Sequence, residues 1–98
     1  MIEVKYNDRK LVVEGHANYG EQGKDIVCAG VSAITQGGAT ALQDHGSNYR
    51  VGDAYLEINL AKEPSNHDRI VLDTIISQIG LIARTYPKNV KVRQINEL

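Results

Sequence analysis

One thiol and one imidazole carry most of the chemical potential of this chain. Cys28 is its single cysteine, and His16 lies a short distance upstream. The local sequence runs Gly15-His16-Ala17, then a glycine-containing stretch, then Asp25-Ile26-Val27-Cys28-Ala29-Gly30-Val31-Ser32. Asp25 is a good helix N-cap, which puts Cys28 in the first helical turn. Backbone N–H groups there lack intrahelical partners, and the positive end of the helix dipole favours an anion. Thiolate, the nucleophilic form of cysteine, is favoured by such a position and by a neighbouring imidazolium. The same N–H groups suit the oxyanion of a tetrahedral intermediate. His16, at the end of the preceding strand, is placed to act as base if its ring reaches the sulfur.

The neighbouring residues each admit two readings. Asp25 either caps the helix or orients His16. Ser32 lies one turn beyond Cys28 on the same face, where it can bond the thiol, a substrate or the Cys28 carbonyl. Gly15 leaves room for a substrate backbone beside His16 or tolerates strand twist. Cys28 itself can equally be a small core residue, and His16 a surface residue at a strand end. Other chemistries fit poorly. Ser32 is not in a Gly-x-Ser-x-Gly elbow, since Ile34 stands at the final glycine position. There is no CxxC or HExxH spacing, so no metal and no cofactor are expected. His45 reads as a helix-end residue and His67 as a helix-start residue.

The elements that must position these groups follow from hydrophobic periodicity. Ile2, Val4 and Tyr6 alternate with polar residues and predict a strand over 2–6. Asn7-Asp8-Arg9 is a turn, and Lys10 to Ala17 predicts a second strand with Leu11 and Val13 on one face, making an antiparallel hairpin. Residues 18–24, including Gly20 and Gly23, predict an exposed, mobile loop. A helix follows from the Asp25 cap to about Asp44. Its adjacent glycines, Gly37 and Gly38, imply either close packing against a sheet or a local break, because each costs about 1 kcal/mol relative to alanine in a helix. Tyr49 to Ala61 gives two short strands around Gly52-Asp53. Ser65 or Asn66 caps a second helix from about His67 to Thr85, where Leu72, Ile75, Ile76, Ile79, Ile82 and Tyr86 form an apolar stripe. Pro87 ends it, and Val90, Val92 and Ile95 suggest a last strand. The order ββαββαβ predicts an α+β fold with a mostly antiparallel sheet and two helices.

Composition narrows the class further. At 98 residues the chain is expected to form a single domain over 1–98. A net charge of −1 argues against a general nucleic-acid binder. The one basic cluster, Lys88, Lys91 and Arg93, reads as the solvent side of a strand. A lone cysteine cannot form an intramolecular disulfide, no stretch is long enough for a membrane span, and Met1 to Tyr6 lacks the pattern of a signal peptide. A reducing, cytoplasmic location is expected, with no membrane partner.

Taken together, Gly15-His16-Ala17 and Asp25-Ile26-Val27-Cys28-Ala29-Gly30-Val31-Ser32 resemble the ribosomal-processing cysteine proteases called Prp. The likeness extends through both hairpins, both helices and the final strand. It implies a homodimeric endopeptidase that removes the N-terminal extension of large-subunit ribosomal protein twenty-seven in certain bacteria. It further implies Cys28 as nucleophile, His16 as base, Gly15, Asp25 and Ser32 in support, and a loop containing Gly20 and Gly23 that orders over the peptide. Two other classes of function fit the residues. One is a non-enzymatic factor that binds a ribosomal protein, with Cys28 as packing. The other is a thiol redox or thioesterase-like enzyme, the redox version weakened by the lack of a resolving cysteine.

Overall fold

The computed structural model describes residues 1–98. The elements are β1 (Ile2–Tyr6), β2 (Lys10–Glu14), α1 (Ile26–Ala39), β3 (Asn48–Gly52), β4 (Tyr55–Asn59), α2 (Asn66–Thr85) and β5 (Val90–Gln94). The strands form one sheet in the order β3-β4-β2-β1-β5. β1 pairs antiparallel with β2, β2 with β4, and β3 with β4. β5 pairs parallel with β1, from Ile2 opposite Val90 to Tyr6 opposite Gln94. Two parallel neighbours cannot be joined by a hairpin; here the long α2 precedes β5 and brings it to the far edge of the sheet. The predicted α+β order ββαββαβ is the observed one, with a single parallel pair in an otherwise antiparallel sheet.

Strand alternation determines which side of the sheet is covered. Ile2, Val4, Leu11, Val13, Leu56, Ile58 and Val90 share one face and join Val27, Val31 and Ala39 of α1 and Leu72, Ile75 and Ile79 of α2 in one apolar cluster. Leu11, Ile58 and Ile79 are completely removed from solvent, each a contribution of about 1.5–3 kcal/mol from burial. The opposite face carries no helix. There Glu57, although nearly buried, is surrounded by partners: Arg50 and Tyr55 donate to its Oε1, Asn59 donates to its Oε2 at 2.9 Å, and Lys10 lies 3.8 Å away. The Asn59 amide, followed by the Arg50 guanidinium, pulls the Glu57 carboxyl down to about 2. Lys88, Lys91 and Arg93 are exposed around β5, as the sequence implies.

Two boundaries differ by three residues or more from the sequence-based expectation; smaller differences are β4 ending at Asn59 rather than Ala61, α2 starting at Asn66 rather than His67, and β5 ending at Gln94, short of Ile95. β2 ends at Glu14 rather than Ala17, because Gly15 takes a φ of +98° and turns the chain out of the strand. α1 ends at Ala39 rather than Asp44. The Ala41 and Leu42 amides make tight bonds to the Gly38 and Ala39 carbonyls, and the next two amides leave the helix altogether. Gln43 and Asp44 donate to the two oxygens of Asp68, at 2.8 and 3.0 Å, and Ser47 Oγ donates to the same carboxylate at 2.8 Å. Burial acts to raise the Asp68 carboxyl, but these donors and His67 outweigh it and hold the group far below the usual carboxylate range. A buried acid from α2 thus stops α1.

The glycines of α1 do not break it. Gly37 and Gly38 both lie inside the continuous helix. Gly38 packs against α2 rather than the sheet: a methyl added there would sit 2.6 Å from Cδ1 and Cγ1 of Ile75. A methyl added at Gly30 would lie 3.4 Å from Ile82 Cδ1 in the same seam, whereas one at Gly37 would meet nothing. Eight residues of connector, 40–47, therefore stand between a helix cut to fit its neighbour and the outer hairpin.

Candidate active site

Residues 15–18 form a short crank between β2 and the loop that leads to α1. Gly15 has φ +98° and Asn18 φ +56°, both in the left-handed region. Glycine is required at the first bend: a Cβ at Gly15 would overlap the Met1 carbonyl oxygen. Asparagine tolerates the second bend. Between the bends, Ala17 is buried in the core and His16 is exposed. The crank therefore turns His16 outward while it presents the Ala17 backbone to α1. The Ala17 N–H donates to Cys28 Sγ at 3.2 Å.

Asp25 works as a cap in both directions. Its Oδ1 accepts the Val27 and Cys28 amides at 2.9 and 3.0 Å, and its Oδ2 accepts those of Tyr19 and Gly20 at 2.8 and 3.0 Å. The Gly20 amide is the strongest influence holding this carboxyl below its ordinary range; burial opposes it, and the other three amides add to it. No hydrogen bond joins Asp25 to His16, so of its two readings the cap is the one the geometry supports. The same bonds correct the assignment of the oxyanion site. The Val27 and Cys28 amides, the helix-start donors expected to receive an oxyanion, are already engaged by Asp25.

Two clefts meet at Cys28. The first, of about 310 Å³, is lined by His16, Asn18, Gly20, Gln22, Gly23, Asp25, Cys28 and Ala29. The second, of about 210 Å³, lies between α1 and the β3–β4 hairpin; Gly15, His16, Cys28 and Ser32 line it together with Val13, Val31, Val51 and Leu56. The first is lined mostly by polar residues and glycines and walled by the 18–24 loop, the second mostly by hydrophobic residues. His16 and Cys28 line both, without a hydrogen bond between them. Ser32 is exposed, and its hydroxyl bonds neither the thiol nor the Cys28 carbonyl. Gly20 and Gly23 are in the loop wall. His45 lies in the connector after α1. His67 opens α2, where its Nδ1 lies 2.9 Å from Asp68 Oδ1, away from the clefts. No cluster of metal-ligating side chains is present.

The loop is tied down unevenly. Asp25 holds the Tyr19 and Gly20 amides near its start, and Tyr19 packs edge-on against Tyr86 with ring centroids 5.1 Å apart. From Glu21 to Lys24 the chain bonds only to itself, through the Lys24 N–H to the Glu21 carbonyl and a fully solvated ion pair of the same two side chains. Sequence reasoning missed Tyr86 and Asn89 at this site. Asn89 Nδ2 donates to the Ala17 carbonyl at 2.9 Å across a separation of 72 residues, and no local pattern announces such a contact.

A thiol at a helix start, opening on two clefts with an imidazole in both walls, is the architecture of a cysteine hydrolase. The family model of cysteine protease Prp matches residues 1–91, and the chain belongs to that family. A ribosomal processing cysteine protease Prp of Mycoplasma genitalium is 30% identical over 95 residues, spanning 96% of this chain and 96% of its own. The Prp of Staphylococcus aureus is 27% identical over 100 residues, 93% of this chain and 94% of that protein. A crystal structure of the essential ribosomal processing protease Prp from S. aureus, with a covalently linked product peptide, matches with a TM-score of 0.84 at 25% identity, covering 96% of this chain and 97% of that one.

Proposed function

We propose that this protein is the endopeptidase that removes the N-terminal extension of large-subunit ribosomal protein twenty-seven, with Cys28 as nucleophile and His16 as its base. The observation that carries the reading is the position of Cys28 at the junction of two clefts, both also lined by His16. A peptide laid through both would cross the sulfur with chain on either side of the scissile bond. The product peptide covalently linked to the S. aureus relative supports a peptide as the occupant.

The steps are those of acyl transfer. The Cys28 thiolate attacks the scissile carbonyl carbon, a C–S bond forms, and the carbonyl electron pair moves onto oxygen. Collapse of this intermediate breaks the C–N bond, and the His16 imidazolium gives its proton to the departing amine. The neutral imidazole then takes a proton from water, which attacks the thioester and returns the sulfur as thiolate. Glu21–Lys24, free of outside bonds, is the part of the loop that closes over the peptide, while Asp25 keeps its base in place. The enzyme is proposed to act in the cytoplasm as a homodimer. No helix is long and apolar enough to cross a membrane.

Incubation with the ribosomal protein bearing its extension, followed by intact mass measurement, tests this. The expected result is a single N-terminal loss that disappears in Cys28→Ala. Stable copurification without cleavage would instead establish the non-enzymatic binding factor. His16→Ala is expected to slow alkylation of Cys28 at neutral pH; alkylation at the parental rate would remove His16 as the activator.

A further inference from the structure

The oxyanion donors expected at the helix start are taken by Asp25, which leaves the Ala17 N–H as the backbone donor aimed at the sulfur. It lies 3.2 Å from Sγ. We infer that this amide stabilises the charge on Cys28 and then on the oxyanion, and that Asn89 is the positioning residue that holds it there. The inference rests on the proposed thiol protease reading and extends it to a donor and a residue outside the Gly-His and Asp-to-Ser segments.

The electrostatic argument begins with the acceptor. A neutral thiol accepts hydrogen bonds weakly, whereas an anion accepts them strongly, so a fixed N–H directed at sulfur favours the charged form. When the thiolate attacks, the new C–S bond takes the sulfur lone pair and the negative charge moves to the carbonyl oxygen. That oxygen is two bonds from sulfur. A donor already directed at Sγ needs only a small change of angle to follow the charge, and a donor fixed beforehand needs no reorganisation during the reaction.

Asn89 makes the donor fixed. Its Nδ2 donates to the Ala17 carbonyl at 2.9 Å. Its own backbone is held on both sides: its N–H donates to the Tyr86 carbonyl at 2.9 Å, and its carbonyl accepts the Ile2 N–H at 2.8 Å. Asn89 is thus part of the tight turn between α2 and β5, braced against β1. The buried Ala17 methyl and the two left-handed bends at Gly15 and Asn18 restrain the rest of the crank. Without the Asn89 side chain, the peptide after Ala17 loses its only side-chain anchor, and the amide before it is no longer fixed toward sulfur.

Asn89→Asp is the informative variant, being nearly isosteric but placing an acceptor against a carbonyl. Asn89→Ala removes the contact. For both, kcat on the extension peptide is expected to fall about tenfold, equivalent to about 1.4 kcal/mol, with KM within about twofold of the parent. The pH profile of Cys28 alkylation is expected to move toward higher pH. A second measurement needs no Asn89 variant. In the unsubstituted protein, the Ala17 amide resonance should titrate together with Cys28 alkylation, and Cys28→Ala should abolish that titration. Parental kcat and an unmoved alkylation profile in folded Asn89→Asp would overturn the inference, as would an Ala17 resonance indifferent to Cys28. Either result leaves the protease reading standing. That reading fails if the unsubstituted protein binds the ribosomal protein without cleaving it, or if Cys28→Ala still cleaves.

Discussion

The adjacent glycines of α1 should respond to the same substitution with opposite sign. Replacing glycine by alanine inside a helix gains about 0.8–1 kcal/mol in backbone entropy and solvation. At Gly37 nothing lies within 4 Å of the added methyl, so Gly37→Ala should keep that gain whole. For a domain of this size it raises Tm by roughly 4–8 °C. At Gly38 the methyl falls 2.6 Å from two atoms of Ile75, itself only 2% exposed. Overpacking of this kind costs about 1–3 kcal/mol, which outweighs the helix gain and leaves a net loss of about 1 kcal/mol. Ile75→Val removes one of the two clashing atoms at a cost of about 0.5–1.5 kcal/mol on its own. The double variant Gly38→Ala/Ile75→Val should therefore be more stable than the sum of its parts, by 0.5 kcal/mol or more. Urea unfolding followed by circular dichroism measures all four proteins. Equal stabilisation by Gly37→Ala and Gly38→Ala, or strict additivity in the cycle, would refute the close seam between α1 and α2.

Asp25→Ala should lower Tm and also raise amide exchange at Tyr19 and Gly20, because one carboxylate serves both the helix start and the loop base; lost cleavage with unchanged exchange and Tm would mean that Asp25 acts in the chemistry instead. Glu57 is held down to about 2, so its contribution to stability is complete above the ordinary glutamate range and disappears as pH falls toward about 2. Glu57→Gln should accordingly narrow the difference in unfolding free energy between neutral and strongly acidic solution, and an unchanged difference would show that the Arg50–Glu57–Asn59 cluster is energetically idle.

Much of the fold was legible because its signals are local. Alternation in Ile2-Val4-Tyr6 and in Leu56-Ile58-Leu60 marked the strands, the Asp25 cap marked the start of α1, and Ser65 or Asn66 marked that of α2, where Ser65 is the cap. The helix end at Ala39 was not legible, since the groups that draw Gln43 and Asp44 out of the helix belong to Asp68, on another element. The sheet order was not legible either, because the pairing of β2 with β4 and of β5 with β1 is decided by how the crossovers pack. At the site, the types and places of Cys28, His16 and Asp25 could be read from residues 15–32. What each polar atom faces could not. The four bonds of Asp25 depend on the path of the 18–24 loop, and the Asn89 contact on the meeting of the two ends of the sheet's β1–β5 edge.

The sulfur rides on a helix whose spacing from α2 is set by what that neighbour will admit at Gly30 and Gly38. Ile75 and Ile82 line neither cleft, yet their bulk limits how near the thiol-bearing helix stands to α2. Turnover and melting are consequently tied to the same few contacts. A selection for faster or slower cleavage should recover changes on the buried flank of α2 as readily as changes around the thiol.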